Sequence, residues 1–361
     1  MDDSYHTNKL RYKPELEKEI GRGGFAVVFS GKARRPGMLR PELCAVKRIL
    51  KHDPNFRRQR FQTEIAIFTN VLKHELFVQF LGWYEDDQDS YLYIAMEYME
   101  FGDLENHIKV KWSEGDTKLV ARQLLKGLTF MHGHDILHRD LKPANIFPIL
   151  LDNPPQLHIK IGDFGISKRL SSDKSTIAKT QTGTPHYMAP EAMFGEPTGY
   201  TNAVDLWALG CILYRMVTGS VPFENQLQVI GYAYQNHGYP KPELLLSQGL
   251  SNPGIAFIES LIQPDATKRG KAQQALENDW IASEPTGFQV TERLAQHFRD
   301  WLTNPQCSGT GPTSTDHDIT AQMASTTLLQ QSPTVQVAQS PALTVFQVKS
   351  SIKPANRYPK L

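Results

Sequence analysis

Within His138 to Asn145, HRDLKPAN, a carboxylate (Asp140), an ammonium (Lys142) and a carboxamide (Asn145) share one short segment. Pro143 fixes its own backbone and disfavours a helix at Lys142, so the segment reads as a loop. A second carboxylate follows in Asp163-Phe164-Gly165. Together these groups suit phosphoryl transfer: one carboxylate to orient a hydroxyl, a lysine to meet phosphate charge, and two oxygen ligands for hard cations. An isolated Asp-x-Lys in a loop is most often a solvated ion pair. It is the whole string, with the second acid downstream, that points to chemistry.

Several elements must hold these groups in place. Leu16 to Ile20 leads into Gly21-Arg22-Gly23-Gly24-Phe25-Ala26-Val27-Val28-Phe29, which reads as strand, glycine turn and strand. Glycines there would let backbone amides approach phosphate oxygens with no side chain between. Leu43 to Ile49 reads as another strand, whose alternation puts Ala45 and Lys47 on one face. Phe61, Ile65, Phe68 and Leu72 fall at helical spacing within 56–72, with Glu64 at the edge of the stripe. Phe77 to Tyr84 and Tyr91 to Glu97 read as strands joined by an acidic turn, Glu85 to Asp89. A long helix carrying Val120, Leu124, Leu128 and Met131 on one face then delivers the chain to the HRDLKPAN loop. Pro154-Pro155 marks a loop between two short strands. Past Asp163 the chain is polar and rich in Ser and Thr up to Glu191. Asp205-Leu206-Trp207-Ala208-Leu209-Gly210 opens a helix apolar all round, which implies burial. Asp205 would be costly there unless its carboxylate accepts hydrogen bonds.

The motifs resemble those of the eukaryotic protein kinases, and Lys142 resembles the serine/threonine branch. They run in family order across 14–282, with the third glycine of the glycine-rich loop replaced by Ala26. The resemblance implies an α+β, two-lobed fold: a small β-rich N-terminal lobe with one main helix, and a larger, mainly helical C-terminal lobe. It implies ATP as phosphoryl donor, with Ile20, Gly21, Gly23, Phe25, Val28, Ala45, Lys47, Met96, Glu97, Met99 and Asp103 around the nucleotide. Glu97 and Met99 would meet the adenine through backbone groups, and Met96 would gate the space behind. Asp103 would reach the ribose or a substrate cation, or would cap the helix that it begins. Lys47 would grip the phosphates, paired with Glu64. Asp140 would orient and deprotonate the substrate hydroxyl while Lys142 neutralises the transferring group. Asn145 and Asp163 would hold Mg2+, for which Mn2+ can substitute. Thr184, Glu191, Asp205 and Arg269 would be structural, Thr184 reaching Asp140 and Lys142, Glu191 pairing Arg269, and Asp205 bracing the catalytic loop. Gly183 to Glu191 resembles the platform on which a protein substrate lies. Thr180, with Thr182 second, resembles the activating phosphosite, and Arg139 would pair with its phosphate. An upstream activating kinase is then an expected partner. The Pro154-Pro155 loop is similar to insertions in the calcium/calmodulin-dependent and checkpoint groups. Ala144 stands where relatives preferring basic substrates often hold glutamate, which weakens any expectation of a basic preference. A non-catalytic scaffold would break Lys47, Glu64, Asp140, Asn145 or Asp163, and all five are intact.

Composition bounds the rest. The 361 residues carry 39 Lys plus Arg against 38 Asp plus Glu, net +1, so no overall field favours nucleic acid or a membrane surface. Three separated cysteines, Cys44, Cys211 and Cys307, fit neither a disulfide framework nor a zinc site and suit a reducing compartment. Residues MDDSYHTNKL lack a signal-peptide pattern, and no apolar run is long enough to span a bilayer. Cytoplasmic or nuclear location is the expectation. Oligomeric state is not written in these features. The expected organisation is a flexible N-terminus at 1–13, the catalytic domain at 14–282, a helical extension at 283–302 with a helix from Thr291 to Leu302, and a disordered Ser/Thr/Pro/Gln-rich tail at 303–361. Cys44, close to the nucleotide site, is a candidate for oxidation, although a strand cysteine more often serves as a small apolar residue.

Overall fold

A computed structural model describes residues 8–23, 26–53, 56, 58, 61–62, 65, 69, 73–163, 185–194, 201–235, 240–283 and 287–304, all within one compact unit spanning residues 1–313. Apolar alternation at the start of the chain builds a five-stranded antiparallel sheet: β1 (Glu15–Arg22), β2 (Ala26–Ala33), β3 (Glu42–Leu50), β4 (Phe80–Glu85) and β5 (Tyr91–Glu97), ordered β1-β2-β3-β5-β4. Its central strand β3 sets Lys47 opposite Val28 on one side and Ile94 on the other. The pleat sends Ile49 to one face, with Phe61, Ile65, Trp83, Leu92 and Ile94, and Cys44 and Val46 to the other, with Leu10, Leu81 and Tyr93. Arg58, Phe61, Gln62, Ile65 and Thr69 are helical, and Phe61 and Ile65 are fully buried.

Two details differ from the sequence pattern. Residues 8–10 lie in the stretch expected to be flexible, yet the Leu10 N–H donates to the Trp83 carbonyl at 2.7 Å and Leu10 is buried. Gly82 makes room for this contact, since a Cβ there would stand 2.6 Å from Leu10 Cδ2. The strand expected from Phe77 begins its ladder only at Phe80. The Ile161 N–H instead donates to the Leu76 carbonyl at 2.8 Å and the Val78 N–H to the Ile161 carbonyl at 2.9 Å, so residues 76–78 stitch the two lobes together.

The second lobe is built around two helices that are buried for different reasons. α1 (Glu114–Gly133) starts at Ser113, whose side chain accepts from the Asp116 N–H, and it buries Val120, Leu124, Leu128 and Met131 completely. The hairpin β6 (Ile146–Leu151) and β7 (Gln156–Ile161) follows the HRDLKPAN loop. Short α2 (Pro190–Phe194) precedes α3 (Ala203–Thr218), which is buried on nearly every side and ends where Gly219 turns left-handed at φ 76°. α4 (Gln226–Gln235), α5 (Pro242–Ser247) and α6 (Asn252–Leu261) pack around it. Two short helices follow, α7 (Ala272–Leu276) and α8 (Asp279–Ala282), and the Asn278 side chain accepts from the Trp280 N–H to start the second. α9 (Glu292–Thr303), capped by Thr291, matches the helix expected in the extension. Leu294, Ala295 and Phe298 of α9 join the core of this lobe. The tail from 305 onward lies outside the described residues.

Candidate active site

The catalytic-loop geometry follows from Asp205. Its carboxylate, 1% exposed inside α3, accepts from the His138 N–H at 3.0 Å, the Arg139 N–H at 2.9 Å and His132 Nε2 at 2.9 Å. Burial alone would raise this carboxyl, but the His132 bond, the nearby His138 and the backbone donor hold it below the usual carboxylate range. The clamp fixes Arg139 in the left-handed region at φ 63°, a costly conformation for a residue with a Cβ. His138 is fixed too. Its Nε2–H donates to the Gly162 carbonyl at 3.1 Å, which leaves Nδ1 to accept from the Asp140 N–H at 3.3 Å.

On this support the Asp140 carboxylate lies 3.3 Å from Lys142 Nζ. Asn145 Nδ2 donates to the Asp140 carbonyl at 2.7 Å, which orients the amide so that its oxygen is the end left to accept. Asp163 sits at φ 45°, a second strained non-glycine position, and takes the Lys47 ammonium at 2.5 Å. Desolvation would raise the Asp163 carboxyl, but the Lys47 charge and hydrogen bond, helped by Lys142, hold it below the usual range. Lys47 is buried on a strand, so the ammonium depends on that partner.

One cavity of about 280 Å³ gathers most of the nucleotide residues named from sequence: Ile20, Gly21, Gly23, Val28, Ala45, Lys47, Met96, Glu97, Met99 and Asp103, with Lys142, Asn145 and Asp163. Gly102 and Asn106 line it as well. Asp103 Oδ1 accepts from the Asn106 N–H at 3.3 Å and from Asn106 Nδ2 at 2.9 Å, so it caps the short turn Leu104–Asn106 while lining the cavity. Burial pushes its carboxyl up to about 7. Glu97 holds the chain between the lobes by accepting Lys160 Nζ at 2.6 Å and 2.7 Å. Glu191 and Arg269 form a bidentate pair at 2.6 and 2.9 Å; Arg269 also donates to the carbonyls of Gln263, Ala203 and Pro264. Phe25, Glu64, Thr180, Thr182 and Thr184 lie outside the described residues.

Sequence reasoning missed several groups. Val78 and Phe147 line the cavity as apolar walls, with nothing in their local pattern to separate them from core residues. Arg215 donates to Glu105 and, at 2.6 Å, to the Tyr187 hydroxyl, tying the first turn after 164–184 to α3; an arginine in an otherwise apolar helix was the available signal. Trp301, on α9, also lines the cavity. Cys44, the oxidation candidate, points to the opposite sheet face and is fully buried; burial, then Glu42, pushes its thiol up to about 12, so its thiolate is scarce.

Among the described residues no group of three His, Cys, Asp or Glu forms a metal cluster. The Asn145 amide oxygen and the Asp163 carboxylate suit a cation that keeps waters and takes further oxygens from phosphates, as Mg2+ does.

A family model described as the protein kinase domain matches residues 15–281. The chain is 34% identical over 273 residues to a probable myosin light chain kinase of Dictyostelium discoideum, covering 74% of this chain and 82% of that one. It is 31% identical over 287 residues to the serine/threonine-protein kinase RAD53 of Saccharomyces cerevisiae, covering 76% of this chain but 34% of the yeast protein. The crystal structure of Rad53 residues 1–466 in complex with AMP-PNP is similar at a TM-score of 0.60 and 30% identity, over 74% of this chain and 64% of that one.

Proposed function

The chain belongs to the protein kinase family and is a protein serine/threonine kinase that binds ATP, and we propose that Asp140, Lys142, Lys47, Asn145 and Asp163 carry its chemistry. The observation that carries this reading is the convergence of Lys47, Asp163, Asn145 and Lys142 on one cavity, with Asp140 held beside Lys142.

A substrate serine or threonine hydroxyl would give its proton to Asp140 as its oxygen bonds to the γ-phosphorus and the bond to ADP breaks. Lys142 would meet the negative charge that spreads over the transferring group. Lys47 would shift from Asp163 towards the phosphates, which explains why a buried ammonium is kept in the pocket. Mg2+, when bound at Asn145 and Asp163, would neutralise phosphate charge. The rate advantage would come mostly from positioning and electrostatics. The inter-lobe hydrogen bonds of residues 76–78 and the Asp205 clamp support that positioning.

We further propose control through the segment between Asp163 and Glu191. A phosphate on Thr180, or second on Thr182, added by this chain or by an upstream kinase, would find Arg139 as partner. Arg139, fixed at φ 63° beside Asp140, supports this reading because any pull on it is felt at the catalytic loop.

The test is phosphate transfer from ATP with Mg2+ to a generic protein substrate, wild type beside Asp163→Ala, with sites mapped by mass spectrometry. Wild-type incorporation on Ser/Thr and a loss of several orders of magnitude in Asp163→Ala are expected. Near-normal turnover in the variant would overturn the assignment.

A further inference from the structure

We propose that Trp301 is a nucleotide-binding residue: α9 supplies the sugar-side wall of the ATP pocket, so the extension beyond the catalytic domain sets which sugar substituents the site accepts. The proposal rests on the ATP-binding reading above. Of the described residues lining the cavity, Trp301 is the one outside the stretch that the kinase-domain family model matches, residues 15–281.

Its place along the cavity is set by its neighbours. On the ATP reading, Lys47 and Asp163 would meet the phosphates and Glu97 to Met99 the base, and all of them line the cavity. Trp301 lines the cavity together with Gly102, Asp103 and Asn106, and Asp103 is the residue that would reach a sugar joined to that base. A Cβ added at Gly102, which sits at φ 66°, would come within van der Waals distance of Trp301, 3.9 Å from Cζ2, so the indole stands beside the chain leaving the inter-lobe connection.

It is also held firmly. The ring meets His107 edge-on at 4.8 Å between centroids. His107 is fully buried; its Nε2–H donates to the Phe101 carbonyl at 2.7 Å, so its Nδ1 accepts from His297 Nε2 on α9 at 3.0 Å. Phe298, one residue on, is fully buried and meets Phe101 edge-on at 5.6 Å. At the start of α9 the Thr291 N–H and hydroxyl donate to Asp116 at 3.0 and 2.8 Å, and near its end Arg299 pairs with Asp152 at 2.8 Å. Phe298 is buried completely, whereas Trp301 keeps part of its surface open at the cavity. A large flat ring anchored on one side and open to the pocket on the other is suited to lie against a sugar and to refuse bulk on its hydroxyls.

The experiment measures binding of ATP and of the ribose-substituted N-methylanthraniloyl-ATP to the full chain, for wild type, Trp301→Ala and Trp301→Phe, with melting temperature recorded for each. Expected for Trp301→Ala is a loss of ATP affinity of about three- to tenfold, the scale of one aromatic contact. The substituted nucleotide should bind as tightly as before or tighter, so that the ratio of the two affinities changes at least about threefold by the same scale. Trp301→Phe should recover most of the ATP affinity, a result that a merely structural role would not require. Equal losses for both nucleotides, no change for either, or tighter ATP binding in Trp301→Ala would each overturn the proposal. If Trp301→Ala fails to fold, the affinity ratio in Trp301→Leu, which keeps apolar bulk without the flat ring, decides, an unchanged ratio overturning the proposal. A wild-type chain that bound no ATP would instead sink the ATP reading itself.

Discussion

Replacing Asp205 by Asn keeps the shape of the side chain and removes its charge, which isolates what the buried carboxylate does. The native group receives three donors, the His138 and Arg139 amides and His132 Nε2, at 2.9 to 3.0 Å. An amide can offer one oxygen, so one donor must face an NH2 group within a helix where Asp205 is 1% exposed. Breaking a buried charged cluster in this way costs about 3–5 kcal/mol. At about 2 °C per kcal/mol for a chain of this size, the melting temperature should fall by about 6–10 °C. Arg139 then loses the bond that holds φ at 63°, so Asp140 drifts, and turnover should fall about 10- to 100-fold with little change in ATP affinity. The pH dependence has a definite sign. The folded-state pKa is depressed, so the carboxylate's contribution is complete above the ordinary value of about 3.9 and is lost as pH falls through the lower folded value. The stability gap between wild type and Asp205→Asn should therefore be flat at neutral pH and close only in acid. Thermal and urea unfolding at pH 7 and pH 3, beside single-turnover phosphate transfer at neutral pH, make the test. A destabilisation under about 1 kcal/mol together with turnover within about twofold of wild type would refute the reasoning.

Other outcomes follow from the same geometry. Arg269→Met and Glu191→Gln should each cost about 3–5 kcal/mol, because either leaves a buried partner unmatched, and the double variant should cost clearly less than their sum. Additivity in a double-mutant unfolding cycle would mean that the pair is not coupled. Asp103, raised to about 7 from an ordinary value of about 3.9, carries a penalty that grows as pH rises between those values, up to about 4 kcal/mol. Asp103→Asn should therefore gain stability relative to wild type from pH 5 to pH 8, as read by melting temperature; a gap that stays constant or shrinks would contradict the burial argument. Thr180→Ala should lower phosphate transfer while leaving ATP affinity roughly intact, and unchanged transfer would remove Thr180 from the regulatory reading.

What the sequence made legible, and what it left hidden, divides by the range of the interactions. The alternation in β3 told which side Lys47 would take, because a strand's pleat is a local property, and Cys44 accordingly faces away. Asp205 was readable as a hydrogen-bonded acid because a carboxylate in an apolar helix has few other ways to exist. The junction at residues 76–78 was not readable. Phe77 and Val78 carry the apolar types of a strand, but their backbone partners lie in β7, some eighty positions later, and no local period reports that. The separation of α7 from α8 rests on a local bond instead, the Trp280 N–H donated to the Asn278 side chain, the kind of backbone competition that asparagine offers.

Trp301 is the clearest case of a site residue that motif spacing cannot reveal. Spacing locates residues that act through the element they sit on, as Asp140, Lys142 and Asn145 do within one loop. A residue that reaches the site by docking of a separate helix is fixed by the contacts that seat the helix, and here those contacts are spread over Phe101, His107, Asp116 and Asp152. Each of these looks ordinary by itself: two aromatic core rings, a helix-cap acid and a turn acid. Only together do they fix where α9 ends and which face of its last turn meets the cavity. The kinase-domain match stops at residue 281, whereas the apolar core of the lobe continues through Leu294, Ala295 and Phe298. The unit that binds nucleotide is therefore longer than the unit that the motifs define. A truncation at the motif boundary would remove a wall of the pocket as well as part of the core.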